Sequence, residues 1–164
     1  MASRGTSQLA SGLTVVCVGF CLCQLGGCTG PLDPEEMFAR YIQNPIPSSV
    51  ANIKVSGHAF MGYSYKFKFD ISRSDLDAIV ASHSLERMRS ASCSSRGIDW
   101  ELPSGKLAGG ATWFADSDVR PKWFAPEEWE EPEVYVLDQA TQPRLQILLY
   151  DETLGQAYFI VRGS

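Results

Sequence analysis

Two histidines, His58 and His83, are the residues of this 164-residue chain best suited to acid–base work. A histidine beside a carboxylate can act as a general base, and Asp75 and Asp77 precede His83 within one predicted helix. Neither histidine belongs to an HxH, HExxH or comparable ligand pattern, so no metal site is expected. His83 falls on the apolar side of its helix and reads as an ordinary, partly buried helix histidine. The serines form no G-x-S-x-G elbow. Gly57-His58-Ala59 and Gly105-Lys106-Leu107 lack the rest of a phosphate loop, and no G-x-G-x-x-G follows a strand, so no cofactor is expected. No catalytic set is complete. A small hydrolase using His83 or His58 stays as an alternative.

The stretch 113–132, WFADSDVRPKWFAPEEWEEP, holds three of the four tryptophans, Trp113, Trp123 and Trp129. Its prolines prevent a regular helix or a central strand throughout. Two readings stand. The aromatics plug the core or cover a sheet edge, or they form a platform that stacks on sugars, cations or proline-rich peptides. The packing reading weighs more. On the binding reading the contacts are Trp113, Arg120, Lys122, Trp123, Phe124 and Trp129. The acidic run Glu127, Glu128, Glu130, Glu131 and Glu133 around Trp129 reads as a solvated surface segment rather than a glycosidase carboxylate pair.

Five cysteines stand at 17, 21, 23, 28 and 93. Three lie in or beside a 13-residue apolar run at 13–25, LTVVCVGFCLCQL, too short to span a bilayer comfortably. Leu25-Gly26-Gly27-Cys28 follows. Run and box together resemble the signal and lipobox of bacterial lipoproteins: a Leu, two small residues, then the Cys that is acylated and becomes the first residue of the finished protein. The resemblance implies a signal peptide at 1–27, a lipidated Cys28 with a tether to 32, and one domain at 33–164. It implies palmitate-type acylation and a bacterial cell-envelope location. Thr29, rather than Asp, after the Cys resembles the outer-membrane default of Gram-negative lipoproteins. Cys93 would then be the sole cysteine of the folded body. That excludes a disulfide scaffold and any zinc site needing two thiolates from this chain. Cys93 itself reads as a buried or loop thiol rather than a nucleophile.

Charge narrows the partners. The chain carries 14 basic and 19 acidic residues, net −5. Removing the first 27 residues takes away Arg4 and no acid, giving −6. Such a body does not suit nucleic acid, whose phosphates need clustered Lys and Arg. It is not drawn to an anionic membrane either, so attachment would have to come from lipid. More than one acyl chain holds stably where one anchors only marginally. At 45% hydrophobic and 20% charged, the chain has the balance of a folded globular protein.

Periodicity supplies the elements. Asp33 is suited to cap a helix with Pro34 at its first position and Glu36 at the capping-box spacing. Met37, Phe38, Tyr41 and Ile42 form its apolar side. Residues 53–57 alternate as a strand, and Gly57 and Gly62 bracket a hairpin connection. Tyr63, Tyr65, Phe67, Phe69 and Ile71 then alternate with Ser64, Lys66, Lys68 and Asp70, which predicts one buried and one wet face in an antiparallel sheet. Ser72 caps a second helix with Leu76, Ile79, Val80 and His83 on one side. Residues 84–110 read as a long irregular segment with a short strand near Ile98 and Trp100. The last third reads as a meander of three strands near 133–138, 145–150 and 157–162, the middle one central. The expected class is α+β: one mostly antiparallel sheet of about five strands with two helices packed on one face.

The body has a further likeness. YIQNPIPSSVANI at 41–53, the aromatic strand, the Asp75-Leu76-Asp77 helix and Arg120-Pro-Lys-Trp-Phe124 resemble small bacterial lipoproteins and secreted domains with no established activity. The likeness implies location and a small α+β domain, and transfers no catalytic residue. Function is therefore expected to be non-enzymatic: an envelope lipoprotein that touches the membrane through Cys28 and binds an envelope protein or polymer. A second alternative is an acidic inhibitor or immunity-type partner of a secreted protein, drawn to a basic target by charge.

Overall fold

The computed structural model describes residues 32–59, 62–94, 96–101, 107–112, 120–139 and 144–164. The signal segment at 1–27, Cys28, most of the tether and Trp113 lie outside the described residues.

Asp33 caps α1 (Pro34–Tyr41), its Oδ1 accepting from the backbone N–H groups of Glu35 at 2.9 Å and Glu36 at 3.3 Å. The chain then enters β1 (Ala51–Ala59) and β2 (Tyr63–Asp70), antiparallel neighbours. Ser72 caps α2 (Arg73–His83) by accepting from Asp75 N, and Ser84 ends it in the left-handed conformation. Gly57 lies inside β1, not in the connection to β2. Its near neighbour across the pair is Tyr65.

The segment after α2 departs from expectation. Where the sequence reads as irregular, four short strands form: β3 (Glu86–Arg87), β4 (Ser90–Cys93), β5 (Gly97–Glu101) and β6 (Leu107–Thr112). The reason is nonlocal. Short strands with weak alternation are specified by cross-strand partners rather than by their own pattern. β4, β5 and β6 pair into a three-stranded antiparallel sheet, and β3 joins the edge of the main one. The expected meander is present as β7 (Glu133–Gln139), β8 (Arg144–Asp151) and β9 (Gln156–Gly163), with Gly155 at φ 62° in the last turn. The main sheet thus has six strands rather than five, ordered β1-β2-β9-β8-β7-β3 and antiparallel throughout. The class is α+β.

Two apolar clusters flank this sheet. One joins Met37 and Phe38 of α1 and Leu76 and Ile79 of α2 to Tyr65, Phe67, Phe69, Leu148, Phe159 and Val161. Phe38 meets Phe69 edge-on at 5.0 Å between ring centroids. The other joins Ile98 and Trp100 of β5, Phe124 and Trp129 to Val134, Val136, Ile147, Leu149, Tyr158 and Ile160. The second cluster corrects the reading of β2. Its even face is not wet, because Ser64 is 7% and Lys66 2% exposed. Both faces of the central strands are covered, so alternation in β2 separates apolar from polar burial rather than core from solvent.

Candidate functional site

The aromatic stretch is spent largely on packing. Phe124 is fully buried and Trp129 nearly so, while Trp123 is half-buried and Lys122 exposed. The Trp129 and Phe124 rings sit against Tyr158 at 4.5 and 5.0 Å. The Tyr158 hydroxyl donates to the Trp123 carbonyl at 2.9 Å and accepts from Ala125 N at 3.3 Å. Burial first of all, with Glu128 and Glu127 nearby, keeps its phenol above the ordinary value. Arg120 donates from Nε to the Phe124 carbonyl at 2.8 Å and pairs with Glu127, which folds this segment back on itself. Trp123, Phe124, Trp129 and Arg120 are thus gathered at one place, and their contacts there are with the chain itself.

His83 is a fastening rather than a base poised beside an acid. One ring nitrogen faces the Ile42 carbonyl at the end of α1, and Nδ1 lies 3.2 Å from the Gln146 side chain. Turned with its oxygen toward Arg144 Nη2 at 2.7 Å, the fully buried Gln146 amide satisfies the arginine as well. Asp75 is engaged elsewhere, accepting from Ser49 Oγ at 2.6 Å. His58 is exposed in β1, directly opposite Ser64. Among the described residues no three His, Cys, Asp or Glu side chains are placed to hold a metal ion. Cys93 is half-buried, and burial, with Glu127 adding to it, pushes its thiol up to about 11. At neutral pH such a thiol is almost wholly protonated, which opposes nucleophilic use.

A cleft of about 600 Å³ opens at the end of the sheet where β7 begins and β8 ends. Register brings its two sides together: Glu133 pairs with Tyr150, and Asp151 with Gln156 across the β8–β9 turn. Glu128, Glu130, Glu131, Glu133, Asp151 and Glu152 line it, with Arg87, Trp129, Tyr150 and Leu154. Leu154, 56% exposed, is an apolar side chain left in solvent at its rim.

Glu133 is the best-held of these carboxylates. Its Oε2 accepts from Arg73 Nη1 at 2.6 Å and from the Tyr135 hydroxyl at 2.7 Å; its Oε1 accepts from Arg87 Nη2 at 2.6 Å. Arg73 also donates to Tyr135 at 3.2 Å and to Asp77 at 3.0 Å, and its guanidinium lies 5.7 Å from the Tyr150 ring centre. Burial pushes the Glu133 carboxyl up, but the Tyr135 and Arg73 hydrogen bonds and the two arginine charges outweigh it and hold the group below its ordinary value. Burial, then the hydrogen bond to Glu133 and its charge, push the Tyr135 phenol up to about 12. Glu133 is therefore a fixed anion at neutral pH, whereas Glu130 and Glu131 project from the surface. The acidic run alone does not reveal this cleft. The missing signal is strand register, which sets the β8–β9 turn beside the run.

No protein-family model matches the chain, and no curated protein or solved structure matches it. Among the described residues no helix is long and apolar enough to cross a membrane.

Proposed function

We propose that this chain is an envelope lipoprotein held by lipid on Cys28, and that its folded body is a non-enzymatic binding module for a cationic protein segment. The observation that carries the binding half is the cleft: six carboxylates against the single cation Arg87, with Trp129, Tyr150 and exposed Leu154 beside them. A segment with Lys or Arg next to an apolar residue complements that lining. The negative field of the cleft would steer it, and partial burial would give its contacts more than the ~0–1 kcal/mol of an open surface pair. This joins the envelope-binding reading to the acidic-partner reading of the sequence. The aromatic platform has less support, since Trp129 and Phe124 already stack on Tyr158. The hydrolase reading has less again, since His83 contacts Gln146 and the Ile42 carbonyl rather than an acid or nucleophile. Within the body, we take α1 and α2 as covering one face of the sheet, the face of Tyr65, Phe67 and Phe159. The outer-membrane location belongs to the same proposal and rests on Thr29.

The anchor is tested by mass spectrometry of the finished protein and by membrane fractionation of Cys28→Ser. Acylation at Cys28 and release of the variant are expected; an intact leader would refute the anchor. The cleft is tested with a Lys/Leu-containing peptide on the full chain. Binding should weaken steeply between roughly 0.05 and 0.5 M salt, and should be lost in Glu130→Gln/Glu131→Gln/Glu152→Gln. Salt-independent capture, or capture by the triple variant, would sink the proposal.

A further inference from the structure

The basic residues of β1, β2 and β9 form an array that the cleft does not use. Cross-strand pairing lines up three rows: Lys54–Lys68–Tyr158, Ser56–Lys66–Ile160 and His58–Ser64–Arg162. Directly paired residues share a face, and so do residues two apart along a strand, so all nine positions lie on one side of the sheet. They hold four cations, a histidine and two serines, and no carboxylate, in a chain of net charge −5. Lys54 stands directly opposite Lys68, an arrangement that disfavours pairing unless something offsets the charge.

Exposure falls across the array. Lys54 and His58 on the edge strand are exposed, Ser56 and Lys68 are half-buried, and Ser64 is only 7% exposed. At the inner end the Ser64 hydroxyl is buried with no hydrogen-bond partner. Leaving a buried hydroxyl unsatisfied costs about 1–3 kcal/mol. Lys66, His58 and Arg162 also engage other groups. The inference rests on Ser64 and on the opposed pair Lys54 and Lys68.

From these observations we propose an oxyanion site of phosphate type on this face, entered from the β1 edge. The Ser64 hydroxyl donates to one ligand oxygen, and Lys54 and Lys68 neutralise the others from the adjacent rows. A tetrahedral phosphate suits donors arriving from separate strands, since its oxygens point in different directions and lysine binds it as a point charge. A planar carboxylate offers two oxygens in one plane and suits this spread less well. The site lies beyond the cationic-partner reading of the cleft and does not depend on it.

The test is titration of the full chain with inorganic phosphate, followed by backbone amide NMR, against chloride at matched ionic strength. Saturable shifts at Ser64, Lys66, Lys68 and their β1 neighbours are expected. Ser64→Ala and Lys54→Met/Lys68→Met should each bind about tenfold more weakly, as loss of a charge-assisted contact implies. Near-UV circular dichroism checks that both variants keep the native packing. Shifts that chloride reproduces, or variants that bind phosphate as the parent does, overturn the proposal. Vesicles of phosphatidylglycerol and of phosphatidylcholine, offered to the Cys28→Ser chain, then identify the source. Ser64-dependent flotation with phosphatidylglycerol alone assigns a lipid headgroup; saturable phosphate binding without flotation assigns a soluble phosphate.

Discussion

Glu133 shows how much of this site depends on single atoms. It sits 18% exposed between Arg73 and Arg87, which are 37% and 60% exposed, so solvent screens the pairs substantially. Glu133→Gln should therefore cost only about 1 kcal/mol at neutral pH. The sign of the pH effect follows from the lowered carboxyl. Its contribution is fully present above the unfolded value of about 4.3 and disappears as pH falls through the folded value. Urea unfolding of parent and variant should differ at pH near 7 and converge in strong acid. Equal deficits at both ends would show that the network contributes no charge-dependent stability. The sequence places Glu133 in an acidic run but cannot supply its partners, because Arg73 and Arg87 are 60 and 46 residues away along the chain.

At the level of elements, local chemistry explains the helices and nonlocal pairing explains the sheets. Asp33 and Ser72 cap α1 and α2 as their side-chain oxygens require. Tyr65, Phe67 and Phe69 bury on one side of β2 because odd positions must share a face. The polar side of the same strand was not legible as buried, since its cover comes from elsewhere in the fold. The β1–β2 pair is also held by a glycine. A Cβ at Gly57, whose φ is 157°, would come 2.1 Å from the Ser64 carbonyl oxygen. Backbone cannot yield there as a flexible side chain can, so Gly57→Ala should destabilise by about 1–3 kcal/mol. An unchanged thermal midpoint would mean that residue 57 does not face Tyr65 in this register. The same variant would distort the strand bearing Lys54, and so serves for stability and not for ligand assays.

Across the whole molecule, burial of tyrosines makes the fold sensitive to alkali. Tyr65, Tyr135, Tyr150 and Tyr158 all have raised phenol values, with burial the first cause in each. A raised folded value favours the neutral phenol. Its stabilisation is present below the unfolded value of about 10 and is lost as pH rises through the folded values. Native near-UV circular dichroism should persist to about pH 9, with tyrosinate absorbance rising together with loss of fold as pH climbs above about 10. Tyrosinate appearing at about pH 10 with the fold intact would contradict the burial of these rings.

What the sequence by itself determined is local: the lipobox resemblance at 25–28, the caps at Asp33 and Ser72, the alternation of β2, and the β7–β9 meander with its Gly155 turn. Each depends on residues a few positions apart, where spacing and side-chain type already constrain the backbone. Tertiary structure alone decided the second sheet, the cover over Ser64 and Lys66, the cleft joining Glu133 to the 151–154 turn, and the cationic rows of β1, β2 and β9. Those depend on which strand lies beside which and in what register. That outcome is set by pairing and burial across the whole chain, and no short window of sequence contains it.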